Sequence, residues 1–176
     1  MIWKRPVFAG GFVLLVLGVA ASTRAEKNEH PLPEGAVADR ILVEKAARML
    51  SLFKDGAVLK SYHVALGREP VGPKQREGDG RTPEGTYVIA GRKEDSAFHR
   101  ALRISYPNEA DLARAQAAGE SPGGDIMIHG LKNGLGWLGR LHTRSDWTEG
   151  CIAVTNEEIE EIWRAVPDST PVEIRP

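Results

Sequence analysis

Apolar residues recur at every second position in several short stretches of the chain, which is the pattern of half-buried β-strands. An apolar run occurs at residues 41–43, and two further alternating stretches, 49–53 and 58–66, flank a Lys-Asp-Gly turn at 54–56. An Asp-Gly turn between two such stretches predicts a β-hairpin. A helix over residues 43–52 is the alternative, because the middle of that stretch is made of good helix formers.

A glycine- and proline-rich stretch follows, and beyond it the pattern is mainly that of short strands. Residues 67–85 contain five Gly and three Pro, which predicts a long ordered loop. Further strands are predicted at residues 86–90, 102–106, 125–129, 151–154 and 171–174. Because strands outnumber helices, we expect a single domain that is mainly β with short helices.

Two short helices are predicted from their composition and their end signals. Residues 109–118 are rich in Ala and are followed by Gly119, a residue type common at helix C-termini. Thr155 and Glu158 can form a capping box that begins the second helix, because each side chain can bond the other residue's backbone amide. Ile and Trp side chains at spacings of three and four then give this helix an apolar face, and Pro167 ends it.

The first 25 residues are typical of a secretory signal peptide. A short basic start precedes the uncharged residues 6–21, and small residues at positions 23 and 25 suit cleavage before Glu26. The alternative is an uncleaved anchor, although such a stretch is short for a membrane span of about 20 residues. The sequence therefore predicts a signal peptide at 1–25, a linker at 26–38 and one domain at 39–175, located in the periplasm. Membrane contact is expected only if the N-terminal segment is retained.

Composition and charge exclude several classes of function. The net charge is −1, with 23 basic and 24 acidic residues, so a nucleic-acid partner bound through bulk charge is not expected. No phosphate-binding loop is predicted, because the Gly-Asp-Gly at residues 78–80 lacks the following Gly-Lys-Ser/Thr. With one Cys and no His pair at helical spacing, no metal site is predicted.

The single cysteine, Cys151, is the first candidate for chemistry. A secreted protein meets an oxidising compartment, where a cysteine without a partner in its own chain is unusual. Three interpretations stay open: an inert buried thiol, a thiol that pairs with another chain, and a nucleophile. The neighbouring Gly150 favours the nucleophile, because a glycine lets the backbone approach a substrate closely and lets amides point at a developing oxyanion.

Two histidines precede Cys151 and could serve as its base. A free thiol titrates near ~8.5 and needs a base or cation to react at neutral pH. His129, 22 residues upstream, ends an apolar strand and is followed by Gly130. His142, nine residues upstream, lies among charged residues in what we expect to be a polar loop. Each could instead be a hydrogen-bonded structural histidine, and His129 is the stronger candidate for the base.

In the order and spacing of several short motifs, the chain resembles the L,D-transpeptidase catalytic domain, the YkuD-like family. One signature runs from Ala-Leu-Gly at 65–67 through Gly-Pro-Lys at 72–74 to the stretch GDGRTPEGTY at 78–87. The second comprises Ile-His-Gly at 128–130 and Thr-Glu-Gly-Cys-Ile at 148–152. The resemblance covers about residues 39–175 and implies a mixed β-sandwich.

The resemblance also implies roles for individual residues. Cys151 corresponds to the nucleophile of the family and His129 to its general base. Thr148 stands at the position of the family's Ser or Thr, and Gly150 lies beside the oxyanion site. The implied substrate is a peptidoglycan stem peptide, the implied reaction is acyl transfer through a Cys151 thioester, and no metal or organic cofactor is required.

The identity of the acceptor is left open by the sequence. An amine of a second stem, a free D-amino acid or a wall-attached protein would make the protein a transpeptidase. Water would make it a hydrolytic amidase of the same fold that cleaves a crosslink or a protein–stem bond. A third hypothesis, a stem-peptide binding module without catalysis, is disfavoured because both Cys151 and His129 are present.

Two departures from the family pattern concern the surroundings of the thiol. Glu149 replaces the His or Lys found in many members, and an acidic group close to the thiol would oppose thiolate formation. Ala153 replaces a frequent Arg, so another cation is expected to bind the substrate carboxylate. Arg140 is preferred over Arg144 and Arg81 for that task. Together with Arg140, we predict that Gly130 and His142 bind the substrate.

Overall fold

The computed structural model describes Met1 and residues 30–176. Except for Met1, the predicted signal peptide lies outside the described residues, as do residues 26–29 of the predicted linker. Among the helices that are described, none combines the length and the apolar character needed to cross a bilayer.

Eight strands form one mixed sheet, accompanied by two α-helices and a 3₁₀ segment. The strands are β1 (Arg40–Glu44), β2 (Met49–Lys54), β3 (Ala57–His63), β4 (Gly85–Ser96), β5 (His99–Ile104), β6 (Met127–His129), β7 (Ile152–Ala153) and β8 (Pro171–Arg175). The helices are α1 (Glu109–Ala118) and α2 (Asn156–Ala165), and the 3₁₀ segment is Gly136–Arg144. The strand order is β3-β2-β1-β8-β4-β5-β6-β7. The predicted mainly β fold with short helices is confirmed.

The sheet curls until its two ends meet. The long strand β4 pairs with β8 through residues 85–88 and with β5 through the rest of its length. Ala65, just after β3, bridges Ala153 of β7 with reciprocal backbone hydrogen bonds of 3.0 and 2.8 Å. Because β3 and β7 are the outermost strands in the order, this bridge encloses the buried apolar side chains between the curled halves of the sheet.

Most local predictions are confirmed, with one exception. The β2–β3 hairpin forms around the predicted Asp-Gly turn, α1 has the predicted bounds, and both capping-box bonds of Thr155 and Glu158 are present. The alternative helix over residues 43–52 is absent, because residues 45–48 form the turn between β1 and β2. The polar loop expected around His142 is wrong, since this residue lies in the 3₁₀ segment and is only 7% exposed.

The 67–85 loop is held against the rest of the fold by a buried lysine. Lys45, which is 2% exposed, follows β1 and donates its Nζ protons to the carbonyl oxygens of Gly72 (2.6 Å) and Thr82 (3.0 Å). It also pairs with Glu84 Oε1 at 2.7 Å. A cation with this many partners is compensated for its loss of water, so Lys45 fixes a loop that carries no regular secondary structure.

We expect Lys45→Met to lower the free energy of unfolding by about 3 kcal/mol, because Glu84 and two carbonyl oxygens lose their partner. Urea unfolding followed by circular dichroism measures this loss. Lys54→Met is the matched control, because Lys54 is half exposed and its pairs with Asp39 and Asp55 are 3.7 and 3.9 Å long. Equal losses in the two variants would contradict the anchoring role of Lys45.

Candidate active site

Neighbouring strands bring the predicted nucleophile and base together. β6 and β7 pair in parallel, with Ile128 opposite Ile152 and His129 opposite Ala153. Cys151 directly precedes β7, so its side chain and that of His129 both line a cavity of about 430 Å³ at this edge of the sheet. The cavity is also lined by Lys93, Ser96, Ala97, Phe98, Ala101, Asp125, Met127, Trp147, Thr148 and Glu149.

Thr148 organises the turn that presents Cys151. Its Oγ1 donates to the Cys151 carbonyl oxygen at 2.7 Å and accepts the Gly150 N–H at 3.1 Å. The Gly150 amide is therefore occupied, whereas the Cys151 amide has no acceptor in the described part of the chain. Of the Gly150 and Cys151 amides, only the Cys151 amide is therefore available to bind an oxyanion.

Gly150 has no room for a side chain. Its φ of +129° is a conformation that residues with a Cβ rarely adopt. A Cβ built here would lie 2.5 Å from the Arg81 carbonyl oxygen and 3.1 Å from Ile126 Cδ1. The 67–85 loop thus packs directly against the turn that carries the thiol.

The thiol of Cys151 is protonated at neutral pH. Burial raises its pKa, and the negative charge of Asp125 raises it further, while a hydrogen bond from the Met127 amide and the charge of Lys74 oppose these effects. The Sγ atom lies 3.6 Å from the Asp125 carbonyl oxygen, to which the S–H can donate. Since the net shift of the pKa is upward, Cys151 needs a base to become a nucleophile.

The acidic group that opposes the thiolate is Asp125, not Glu149. The carboxylate of Glu149 is 64% exposed and pairs with Arg68 at 2.6 Å. It is absent from the charges that shift the pKa of Cys151, whereas Asp125 is among them. The replacement of the family's His or Lys by Glu149 therefore places a carboxylate that is ion-paired with Arg68 at the cavity rim.

His129 is neutral and correctly protonated to act as a base. Its Nδ1 lies 2.7 Å from the Gly130 carbonyl oxygen. Because a carbonyl can only accept, Nδ1 carries the proton and Nε2 keeps a free lone pair. Burial lowers the pKa of His129, so the lone pair remains available at neutral pH.

Two aromatic rings enclose His129. The ring centroid of Phe98 lies 4.7 Å from that of His129, and Trp147 meets the imidazole edge-on at 5.9 Å. Together they leave His129 only 5% exposed. Sequence reasoning missed both rings, because neither belongs to a recognisable motif or lies near His129 in the chain.

Lys74 is a buried cation near the thiol. It is 3% exposed and pairs with Asp79 Oδ1 at 2.8 Å. Burial alone would raise the pKa of Asp79, but hydrogen bonds from Lys74 and from three backbone amides of the loop lower it. Asp79 therefore stays ionised and holds Lys74 where its charge favours the Cys151 thiolate. The Gly-Pro-Lys motif contained this residue, but its sequence gave no sign of burial.

The predicted cation Arg140 does not line this cavity. It is 68% exposed, and its Nε lies 3.7 Å from Glu158 Oε1. Arg144 and Arg81 are also absent from the lining, although the backbone of Arg81 contacts Gly150. Lys93, which sequence reasoning missed, does line the cavity.

His142 is separated from the thiol cavity and lines a second one with Trp147. Its two ring nitrogens and the Trp147 Nε1 are buried without a hydrogen-bond partner in the described part of the chain. Burial, with a smaller effect of His129, lowers the pKa of His142 to about 4. His142 is therefore neutral at physiological pH and less well placed than His129 to act on Cys151. No group of three or more potential metal-ligating side chains occurs within residues 30–176.

Comparison with known proteins finds one matching family and a curated relative. Residues 38–174 match the YkuD family, described as the L,D-transpeptidase catalytic domain. YafK of Escherichia coli strain K12, a candidate L,D-transpeptidase, is 30% identical over 157 residues, which are 86% of this chain and 56% of YafK. The chain thus spans about half the length of this curated relative.

Solved structures share the fold. The cell shape determining protein Pgp2 from Campylobacter jejuni superposes with a TM-score of 0.61 at 24% identity, covering 88% of this chain and 54% of Pgp2. The Enterococcus faecium L,D-transpeptidase C442S mutant gives a TM-score of 0.52 at 17% identity, covering 80% of this chain and 50% of that structure. At these identities the likeness concerns the fold.

We expect Gly150→Ala to lower the free energy of unfolding by about 2 kcal/mol, because the new Cβ must displace the Arg81 carbonyl and φ stays positive. Thermal or urea unfolding measures the loss. Gly124→Ala is the control, since a Cβ there meets no atom within 4 Å. A Gly150→Ala variant as stable as the Gly124→Ala variant would show that the turn relaxes freely.

The pH dependence of alkylation tests the protonation state of the site. Because the chain has one cysteine, iodoacetamide labelling reports on Cys151 alone. We expect the labelling rate of the folded protein to rise with a midpoint above that of the same chain in urea, since burial raises the pKa of the thiol. A folded midpoint below the unfolded one would instead indicate a preformed thiolate–imidazolium pair.

Proposed function

Since the chain belongs to the L,D-transpeptidase catalytic domain family, we propose that it is a periplasmic cysteine acyltransferase acting on peptidoglycan stem peptides. The observation that carries this proposal is the shared cavity of Cys151 and His129, with a proton on Nδ1 and a lone pair on Nε2 of the histidine. The family membership supports a peptidoglycan-modifying function. The geometry of this chain supports Cys151 as the nucleophile and His129 as the base.

The first half-reaction forms a thioester. His129 Nε2 takes the thiol proton as Sγ attacks a carbonyl carbon of the stem peptide. This carbonyl belongs to the L-centre of a diamino acid and is bonded to the nitrogen of the terminal D-Ala. The Cys151 N–H donates to the developing oxyanion, an interaction worth about 3 kcal/mol per donor in other enzymes. The C–N bond then breaks, and the imidazolium returns the proton to the departing D-Ala amine. A neutral thiol and a neutral imidazole suit this coupled transfer.

Other cavity residues position the reactants. Phe98 and Trp147 exclude water from His129 and hold its ring, which preserves the lone pair for the transfer. Thr148 bonds the Gly150 N–H and the Cys151 carbonyl, and so holds the backbone on both sides of the peptide group that carries the Cys151 N–H. We assign the substrate carboxylate to Lys93 rather than to Arg140, because Lys93 lines the cavity and Arg140 pairs with Glu158 elsewhere.

The second half-reaction releases the acyl group to an acceptor. An amine enters the cavity, His129 takes its proton, and the tetrahedral intermediate collapses with loss of the Cys151 thiolate. The amine of a second stem gives a crosslink, a free D-amino acid gives exchange, and an amine of a wall-attached protein gives attachment. Asp125 also lines the cavity, and its 77% exposed carboxylate lies 3.7 Å from Arg103 Nη1.

The test is mass spectrometry of the products formed from a disaccharide-tetrapeptide. We expect the wild-type chain to give a dimer that lacks one D-Ala, and Cys151→Ala to give no product. His129→Gln is expected to slow thioester formation by 10²- to 10⁴-fold, because the base is lost. His63→Gln is the matched control, since His63 is exposed at the end of β3.

The other outcomes discriminate among the hypotheses. Free tripeptide without dimer would indicate hydrolysis and a hydrolytic amidase. Product formation by Cys151→Ala would overturn the mechanism. Wild-type rates in His129→Gln would transfer the role of base away from His129.

A further inference from the structure

A second cavity lies behind the aromatic wall of the thiol cavity. Its volume is about 450 Å³, within the range of small-ligand sites, and Phe98 and Trp147 line both cavities. The rest of the wall is formed by four leucines, Leu131, Leu135, Leu138 and Leu141, together with Lys132, His142 and Ser145. Because leucine side chains make up most of this wall, the cavity suits an apolar group better than the amines and carboxylates of the proposed stem-peptide substrate.

The apolar character continues onto the surface of the 3₁₀ segment. Trp137 is 76% exposed, Leu141 is 52% exposed and Leu135 is 40% exposed. We call these three residues the apolar face. A tryptophan and two leucines exposed within one seven-residue stretch are unusual on a protein surface and indicate a contact with something else.

Cations flank the apolar face. Lys132 lines the second cavity, and Arg144 ends the 3₁₀ segment. Both are exposed, and neither forms an ion pair with another described residue. The chain as a whole is slightly acidic, with a net charge of −1. A positive rim around an apolar face is therefore a local feature, and it complements an anionic partner with an apolar interior.

We propose that the apolar face and the second cavity form a docking site for the anionic surface of a lipid bilayer. Trp137, Leu135 and Leu141 enter the boundary between headgroups and acyl chains, where Trp and Leu side chains are favoured. Lys132 and Arg144 meet the phospholipid phosphates, and each contributes attraction that salt weakens. An acyl chain bending out of the bilayer matches the aliphatic surface that the four leucines give the second cavity.

Lipid docking at the second cavity would also affect the thiol cavity, because Trp147 lines both cavities. Trp147 contacts the occupant of the second cavity on one side and His129 on the other. A lipid bound there would support the wall of Phe98 and Trp147 that excludes water from His129. The site also gives the domain a contact with the membrane that is independent of residues 6–21.

Quenching of tryptophan fluorescence by brominated lipid tests the proposal. The full chain is prepared with Trp3→Phe, so that the emission comes from Trp137, Trp147 and Trp163 only. It is mixed with phosphatidylcholine vesicles that contain brominated phosphatidylglycerol. We expect marked quenching that is largely lost in Trp137→Phe and retained in Trp163→Phe, because Trp163 lies on α2 and packs against Arg92 and Arg100.

Charge and cavity variants complete the experiment. The double variant Lys132→Glu with Arg144→Glu is expected to reduce quenching severalfold, and Lys54→Glu, on the β2–β3 hairpin, is the matched control. Leu141→Ser is expected to reduce quenching while turnover of a soluble tetrapeptide stays at the wild-type rate.

Several results would overturn the proposal. One is quenching that the Trp137→Phe substitution does not change. Another is quenching of the same size by vesicles made only of phosphatidylcholine, part of it brominated, and therefore without anionic lipid. Loss of turnover in Leu141→Ser with undiminished quenching would assign the cavity to the substrate. A Trp137 emission that shifts with protein concentration in the absence of vesicles would assign the apolar face to a second copy of the chain.

Discussion

The parallel pairing of β6 with β7 is the constraint on which the rest of the site depends. The proposed base lies at the end of β6 and the proposed nucleophile just before β7, so the register of these two short strands sets their proximity. β7 is two residues long and cannot hold this position alone. It is supported on its other side by the backbone of Ala65, and the turn before it is supported by Thr148 and by the 67–85 loop. The buried Lys45 in turn stabilises that loop.

Burial has opposite effects on the two reacting groups, and both favour a neutral resting site. It raises the pKa of Cys151 and lowers that of His129, because each shift favours the uncharged form. A neutral pair does not attract adventitious ions and keeps the lone pair on His129 free. The charge that forms during attack then meets groups already in place, namely the Cys151 amide and the Lys74 ammonium. Pre-organised dipoles and charges of this kind are the main source of catalysis in many enzymes.

The sequence predicted the fold better than it predicted the wall of the site. Alternation around an Asp-Gly turn was sufficient for β2 and β3, and the Ala-rich stretch before Gly119 was sufficient for α1, because those signals are local. Phe98 and Trp147 were missed because their contact with His129 joins three distant parts of the chain. Arg140 was preferred for its charge alone, and a sequence does not show that Glu158 of another helix lies beside it. The polar neighbours of His142 suggested a solvated loop, although adjacent side chains of a 3₁₀ turn point about 120° apart, so one can be buried while its neighbours are exposed.

The bridge between Ala65 and Ala153 has a consequence for the order in which the molecule matures. The two residues are 88 positions apart, so their contact requires a large loop to close, and its entropic cost comes before any gain. Hairpins such as β2–β3 form from neighbouring residues and do not wait for this closure. The bridge supports the outer side of the two-residue strand β7, so the position of the thiol beside His129 is fully fixed only when the outermost strands of the sheet join. A chain whose sheet has not yet closed would therefore leave its cysteine without a fixed position relative to its histidine.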